Sequence, residues 1–263
     1  MLKTPISYYG GKLGMLPHIL PLIPEHKIYT ESFFGGGAVF FAKKPAQAET
    51  INDTNNQVVN FYQVLKTDFT ALKQMVESTL SARVTYKSAM TIYSMPHQFT
   101  RIQQAWAFYV VTNLGFSGKI GGGLAFDKYG SRARSFSNKK LKFVPELSDR
   151  LQHVLIENND ALKVIESKDT KDTFHYIDPP YINTNQGHYT GYTETNFRQL
   201  LELLSHIEGK FLLSSYGSEI LRDFQKTQNW FWKEINLPLA ASKSTGANAR
   251  PRKVEILTAN YPI

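Results

Sequence analysis

Asp178, Pro179, Pro180 and Tyr181 follow directly on the run TFHYI, residues 173–177, whose aromatic and β-branched residues read as a strand that the prolines must end. An acid and an aromatic ring are therefore presented at a strand's carboxyl end. Such a pair suits one kind of chemistry. The exocyclic amine of a nucleobase is a poor nucleophile because its lone pair is delocalised into the ring. Acceptors on both amine hydrogens favour a pyramidal, reactive nitrogen. The Asp178 carboxylate can accept one hydrogen and the Pro179 carbonyl, directed by the proline behind it, the other. Tyr181 can stack on the base. A turn with a structural tyrosine is the plainer alternative, and position in the fold must decide between them.

A second chemical motif lies upstream, in ESFFGGGAVFF, residues 31–41. Gly35, Gly36 and Gly37 after the strand-like KIYTESF permit a tight turn that a ligand can approach closely. Asp53 closes the next strand-like run, AETIND, where a carboxylate can hold ribose hydroxyls. This is a nucleoside site in outline, open to a nicotinamide cofactor or to S-adenosylmethionine, and a plain tight turn is the competing reading.

The elements that must position these groups follow from periodicity. NQVVNFYQVLKTDFTALKQMVESTL and RIQQAWAFYVVTN carry apolar residues at helical spacing. Strand and helix patterns then alternate through HVLIENNDALKVIE, TFHYID, TETNFRQLLELLSHIEG and KFLLSSY. Alternation implies an α/β fold, a largely parallel sheet covered by helices on both faces. Residues 1–56 and 151–263 are expected to form the catalytic α/β domain, and 57–150 an inserted, mainly helical recognition domain. Within the insertion, residues 114–143 are rich in glycine, lysine and arginine and read as a loop or hairpin.

With 263 residues, a formal charge of +8 and no cysteine, the chain has the size for one generous domain with an insertion. The charge favours a polyanionic partner, although a merely basic enzyme fits as well. Disulfides, thiolate metal sites and a cysteine nucleophile are excluded. No signal-peptide core or membrane-length apolar run is visible, so the expected location is cytoplasmic.

The order YYGGK, ESFFGGGAVF, INDTN, NND and DPPY resembles the Dam-type DNA adenine-N6 methyltransferases, and SKSTGANARPRKVEILTANY is similar to that family's carboxyl-terminal segment. The resemblance implies a Rossmann-like, S-adenosylmethionine-dependent fold with no metal. It places Tyr8, Gly11, Lys12, Glu31, Phe33, Gly35, Gly37, Asp53, Asp160 and Asp178 around the cofactor, and Asp178, Pro179, Pro180 and Tyr181 at the reacting amine. Read without the resemblance, Tyr8 is a core residue, Lys12 a solvated charge, Asp160 a helix cap before ALKVIE and Glu31 a structural strand-end acid. Ser32, where the family commonly has proline, and Ala38, often serine, depart from its pattern.

Double-stranded DNA is the implied partner. Asn113, Phe116, Lys119, Arg132, Arg134, Lys139 and Lys140 of the insertion, with Lys243, Ser244, Arg250 and Arg252 near the carboxyl end, are the candidates for contacting it. Phe116 could fill the space left by a displaced base. The stretch KIGGGLAFDKYG replaces the arginine and asparagine-valine-proline pattern common in the family, so no target sequence is inferred. A solvated basic loop that reads no base is the plainer view of this segment. Transfer to cytosine N4, an RNA substrate and a catalytically silent DNA-binding protein are alternatives, and the oligomeric state is left open.

Overall fold

A computed structural model describes residues 1–125, 128–182, 191–238 and 252–263. Helix α1 (Leu16–Ile19) precedes β1 (Ile28–Glu31), and the short α2 (Ala38–Ala42) leads to β2 (Ala48–Asn52). Five helices follow: α3 (Asn56–Thr67), α4 (Phe69–Ser78), α5 (Arg83–Ser94), α6 (Arg101–Leu114) and α7 (Ser131–Leu141). After α8 (Glu146–Asp149) the chain alternates through β3 (Val154–Glu157), α9 (Ala161–Lys168), β4 (Thr173–Ile177), α10 (Glu194–Leu204), β5 (Lys210–Ser215) and α11 (Glu219–Thr227). It ends in β6 (Phe231–Pro238) and β7 (Arg252–Ala259).

The strands form one sheet in the order β3-β2-β1-β4-β5-β7-β6, parallel except for β7. Strand side chains alternate between two cores. Phe174, Tyr176 and Leu212 join Tyr29 and the α3 and α6 residues Phe61, Tyr62 and Phe108, whereas Ile177, Phe211 and Leu213 pack with Leu200, Leu201 and Leu221 of α10 and α11. The chain runs outward from β1 through β2 to β3, then returns to place β4 on the other side of β1. This reversal opens a crevice beyond the carboxyl ends of β1 and β4, the general place for ligands in open α/β sheets. Glu31 pairs with Tyr176 in register, so Glu31 and Asp178 arrive at the same rim.

The segment 56–149 between β2 and β3 is helical, and its core is continuous with the sheet's. Helix α6 is apolar nearly all round and buried, with neighbours α3, α4 and α5, and it is started by a Thr100/Gln103 capping box. The long helical run expected from residue 56 breaks at Asp68, which ends α3 and stands before α4 with its Oδ2 accepting from the Thr67 hydroxyl at 2.6 Å rather than from the helix.

Helix α7 lies where a loop or hairpin was expected. Its sequence, SRARSFSNKKL, buries one apolar side chain, Phe136, against Tyr109 of α6, so no periodicity announces it. Burial of that ring is worth about 2–3 kcal/mol. Two lysines add specific ties: Lys139 Nζ donates to Ser7 Oγ at 2.6 Å, and Lys140 Nζ donates to the Glu77 and Thr79 carbonyls at 3.0 and 2.9 Å.

Candidate active site

Three backbone turns converge on the crevice. The first follows β1, where Gly35 and Gly37 have φ of +47° and +61°. A Cβ on Gly37 would stand 2.4 Å from Phe34 Cζ, so neither the backbone nor the space admits another residue. Asp53, just past β2, holds this turn from below: Oδ2 accepts from the Gly35 N–H and Oδ1 from the Asn55 N–H, each at 2.8 Å. Burial raises the Asp53 carboxyl to about 6 against the pull of those two bonds.

Glu31 closes β1, and its Oε2 accepts from the Tyr29 hydroxyl at 2.7 Å and the Phe40 N–H at 3.1 Å. Burial raises its carboxyl to about 8; the Tyr29 bond opposes this and the nearby Asp178 charge adds to it. A stability prediction follows with a definite sign. Between the ordinary value of 4.5 and about 8, the folded protein holds a proton at Glu31 that the unfolded chain has released. Without ligand, stability should therefore fall as pH rises through that window. Thermal melts from pH 5 to 8 should show a declining midpoint in wild type and a flatter profile in Glu31→Gln.

The second turn is amino-terminal. Gly11 N–H donates to the Tyr8 carbonyl, which bends the chain so that Lys12 points inward. Tyr8 is buried, packs 6.1 Å from the Phe108 ring and covers Gly36, where a Cβ would lie 3.0 Å from the Tyr8 Cβ. Lys12, a solvated charge on local sequence, is instead only 6% exposed. Its Nζ donates to the Gly10 carbonyl at 3.0 Å and pairs with Asp178 Oδ1 at 2.7 Å.

The third turn carries Asp178 to Tyr181 off β4. The Tyr181 hydroxyl lies 3.3 Å from Asp178 Oδ1, 3.1 Å from Ser214 Oγ and 2.8 Å from Glu255 Oε1, while Lys12 Nζ lies 4.9 Å from its ring centroid. Tyr216, just past β5, meets that ring edge-on at 4.5 Å. Burial raises the Asp178 carboxyl; Lys12 pulls it down and Glu255 pushes it further up. Ser214, Tyr216 and Glu255 were not anticipated. For Glu255 the signal was available, since in KVEILTA an acid stands at the same strand parity as the core residues Leu257 and Ala259.

A single cavity of about 990 Å³ joins these groups: Lys12, Glu31, Phe33, Asp53, Asp160 and Asp178 all reach its wall, as do the glycine turn, Pro179, Pro180 and Tyr181. The volume is at the upper end of small-molecule sites, roughly 300–1,000 Å³, enough for a nucleoside ligand and a base together. Phe33 is half-buried and meets Tyr192 edge-on at 6.3 Å. Asp160 caps α9, its Oδ1 accepting from the Leu162 and Lys163 N–H groups, and also stands on the cavity wall, so cap and ligand-facing acid are compatible roles.

The residues expected on DNA divide. Arg132, in the first turn of α7, reaches the cavity wall, and Arg134 and the half-exposed Phe116 face outward. Lys119 is half-buried in the loop after α6. Asn113 has both ends of its amide engaged, accepting from Ser7 N–H at 3.0 Å and donating to the Pro5 carbonyl at 3.1 Å. With the Lys139 and Lys140 bonds described above, these ties give three of the candidates structural work. Lys243, Ser244 and Arg250, with the side chain of Arg252, lie outside the described residues; Arg252 itself pairs with Pro238 where β7 begins.

This sheet order with β7 alone reversed, a glycine turn after β1, an acid after β2 and an acid-proline turn after β4 defines a Rossmann-like methyltransferase domain. Residues 8–238 match the sequence profile of the D12 class N6 adenine-specific DNA methyltransferases. The chain belongs to that family and is a site-specific DNA adenine methyltransferase.

Relatives agree at low identity. The chain is 24% identical to the type II methyltransferase M1.LlaDCHI of Lactococcus lactis subsp. cremoris, over 97% of this chain and 94% of that one. It is 24% identical to a DNA adenine methylase of Vibrio cholerae, over 73% and 70% of the two chains. It is 25% identical to the DNA N-6-adenine-methyltransferase of Escherichia phage P1, over 84% of this chain but 31% of that longer protein. Among the described residues, no group of three or more His, Asp or Glu could hold a metal ion, and no helix is long and apolar enough to cross a membrane.

Proposed function

We propose that this chain methylates adenine N6 in double-stranded DNA from S-adenosylmethionine, with Asp178, Pro179 and Tyr181 at the amine. The observation that carries the reading is the placement of Asp178 and Tyr181 in the same cavity as the glycine turn and two buried acids. The residues present fit the cofactor. The turn at 35–37 brings backbone without side chains to the cavity wall, Asp53 offers ribose hydroxyls its remaining lone pairs, and Glu31 offers a carboxyl to an ammonium. Asp160, with Oδ1 engaged at the helix cap, would offer its other oxygen to the adenine amine of the cofactor, and Phe33, Tyr8, Gly11 and Lys12 would complete the surround.

When bound, S-adenosylmethionine supplies a sulfonium methyl whose carbon–sulfur bond breaks as the nitrogen–carbon bond forms, the electron pair staying on sulfur. Asp178 and the Pro179 carbonyl accept the two hydrogens of the target amine, which concentrates its lone pair, and Asp178 is placed to receive the proton the product sheds. Tyr181 stacks on the displaced base and offsets part of the few kcal/mol that unstacking costs. Pro180 fixes the turn that aims both acceptors.

Residues 57–150 serve as the recognition insertion in this reading, with Arg132, Arg134 and Lys119 as phosphate contacts, Phe116 as the wedge, and Lys243, Ser244, Arg250 and Arg252 as further contacts from near the carboxyl end. A pair of variants separates phosphate contacts from structural lysines. Arg134→Ala should weaken duplex binding and reduce the salt slope by about 1. Lys140→Ala should leave that slope unchanged and lower unfolding stability by about 1 kcal/mol, since its ammonium is bonded to the end of α4.

The function is tested by nucleoside mass spectrometry of unmethylated genomic DNA incubated with the protein and isotope-labelled S-adenosylmethionine. Labelled N6-methyladenine is expected. Label on cytosine would move the activity to cytosine N4, and label appearing only on RNA would overturn the DNA substrate.

A further inference from the structure

Polar side chains from four neighbouring strands share one face of the sheet at its carboxyl rim: Glu31 of β1, Tyr176 of β4, Ser214 of β5 and Glu255 of β7. Asp178 follows Tyr176 by two residues, just past the end of β4. The other groups of this floor are engaged. Glu31 accepts from Tyr29 and Phe40, Asp178 pairs with Lys12, and Ser214 donates to Glu255 Oε1 at 2.6 Å. The Tyr176 hydroxyl meets no partner at hydrogen-bond geometry among the described residues. Ser214 acts on this phenol less than the three acids do, and its own hydrogen goes to Glu255.

A buried hydroxyl left without a partner costs stability, and native proteins keep such groups rarely and for a reason. Tyr176 is only 1% exposed, yet it reaches the wall of the cavity that holds the reacting groups. We propose that the Tyr176 hydroxyl binds the methyl-sulfonium end of S-adenosylmethionine, its oxygen accepting the polarised methyl hydrogens. The inference rests on the reading that Glu31 takes the cofactor's ammonium and Asp178 the target amine. The methyl carbon must then stand between those two acids. Tyr176 is placed there, in register with Glu31 across β1 and β4 and two residues before Asp178.

Charge selects a cation as the missing partner. Asp178, Glu31 and Glu255 all act on the phenol, in that order, and after burial itself they hold it well above its ordinary value. The group therefore stays a neutral hydroxyl and works through its lone pairs. A carboxylate brought to this spot would face the same acids and be repelled, whereas a sulfonium is attracted. Hydrogens on a carbon beside positive sulfur are also stronger donors than ordinary C–H groups, whose contacts with oxygen lie at about 3.3–3.6 Å. The contact exists only with the methyl donor. S-adenosylhomocysteine has neither the methyl nor the charge, so Tyr176 favours exchange of spent cofactor for fresh.

Tyr176→Phe removes the hydroxyl and keeps the ring. Calorimetric titration of S-adenosylmethionine and of S-adenosylhomocysteine into wild type and variant tests the proposal without reference to turnover. The expected result is an affinity for S-adenosylmethionine about 5–10-fold lower in Tyr176→Phe, with that for S-adenosylhomocysteine within about twofold of wild type.

Equal weakening of both ligands would put the hydroxyl on a part they share, and unchanged affinity for both would leave it no ligand; either result overturns the proposal. Should Tyr176→Phe fail to fold, a structure of wild type with S-adenosylmethionine decides. Tyr176 Oη within about 3.6 Å of the methyl carbon supports the contact, and a separation beyond about 4.5 Å refutes it. Wild type that binds neither ligand refutes the cofactor reading and this inference together. Normal wild-type binding with the wrong variant pattern refutes this inference alone.

Discussion

Asp178→Ala abolishes methyl transfer, a loss of about 10³-fold or more, while duplex affinity stays within a few-fold of wild type. The loss is large because Asp178 is the one carboxylate of the acid-proline turn in the cavity, and its acceptor is fixed in place before any base arrives. Removing a single preorganised group of this kind costs about 10²–10³ in rate, and here proton acceptance is lost as well. Duplex affinity is spared because the proposed phosphate contacts, Lys119, Arg132 and Arg134, lie on α7 and in the loop before it, outside the acid-proline turn. The fold is spared because Lys12, deprived of Asp178, still has Glu255 3.5 Å away as counter-ion. Asp178→Asn should lie close to Asp178→Ala in rate, since its amide retains one acceptor but takes no proton. Nucleoside mass spectrometry beside fluorescence-anisotropy binding checks both variants, and substantial transfer by either would refute the assigned role.

Gly37→Ala removes cofactor binding and costs about 2–5 kcal/mol of stability, the second largest effect expected. Two costs add. The residue has φ of +61°, which an L side chain adopts at a cost of about 1–2 kcal/mol. Its Cβ would also stand 2.4 Å from Phe34 Cζ, and overpacking a fitted core costs about 1–3 kcal/mol more. Phe34 cannot yield easily, because its ring packs edge-on against Tyr62 at 4.7 Å and Phe40 at 5.5 Å. Whatever movement relieves the clash displaces the Gly35 N–H from Asp53, which spoils the proposed ribose acid together with the turn. Urea unfolding and calorimetric S-adenosylmethionine titration measure the two consequences. A variant with wild-type affinity would show that the turn does not form the cofactor site.

The two chemical centres were legible in the chain because each is local. A strand, an acid and a turn are consecutive in 173–181, and in 28–53 a strand, a glycine turn and an acid at the end of the next strand fall within one strand-helix-strand unit, with proline fixing the first turn and glycine permitting the second. The alternation of apolar patterns likewise determined the parallel sheet, since buried strands and amphipathic helices carry their periods in the sequence. Helix α7 was hidden because a helix anchored by one phenylalanine has almost no period to detect.

Only the tertiary structure decided what the long polar side chains do. Lys12 and Glu255 are 243 residues apart in the chain, and only the insertion of β7 between β5 and β6 brings the acid to the lysine. Asn113, Lys139 and Lys140 look like any polar residues of a basic surface until their partners at Pro5, Ser7, Glu77 and Thr79 are in place. Composition sets how much charge a protein carries, and backbone restriction marks its turns locally. Which cation meets which anion depends on the packing of elements distant in sequence, because burial makes pairing obligatory without specifying the partner.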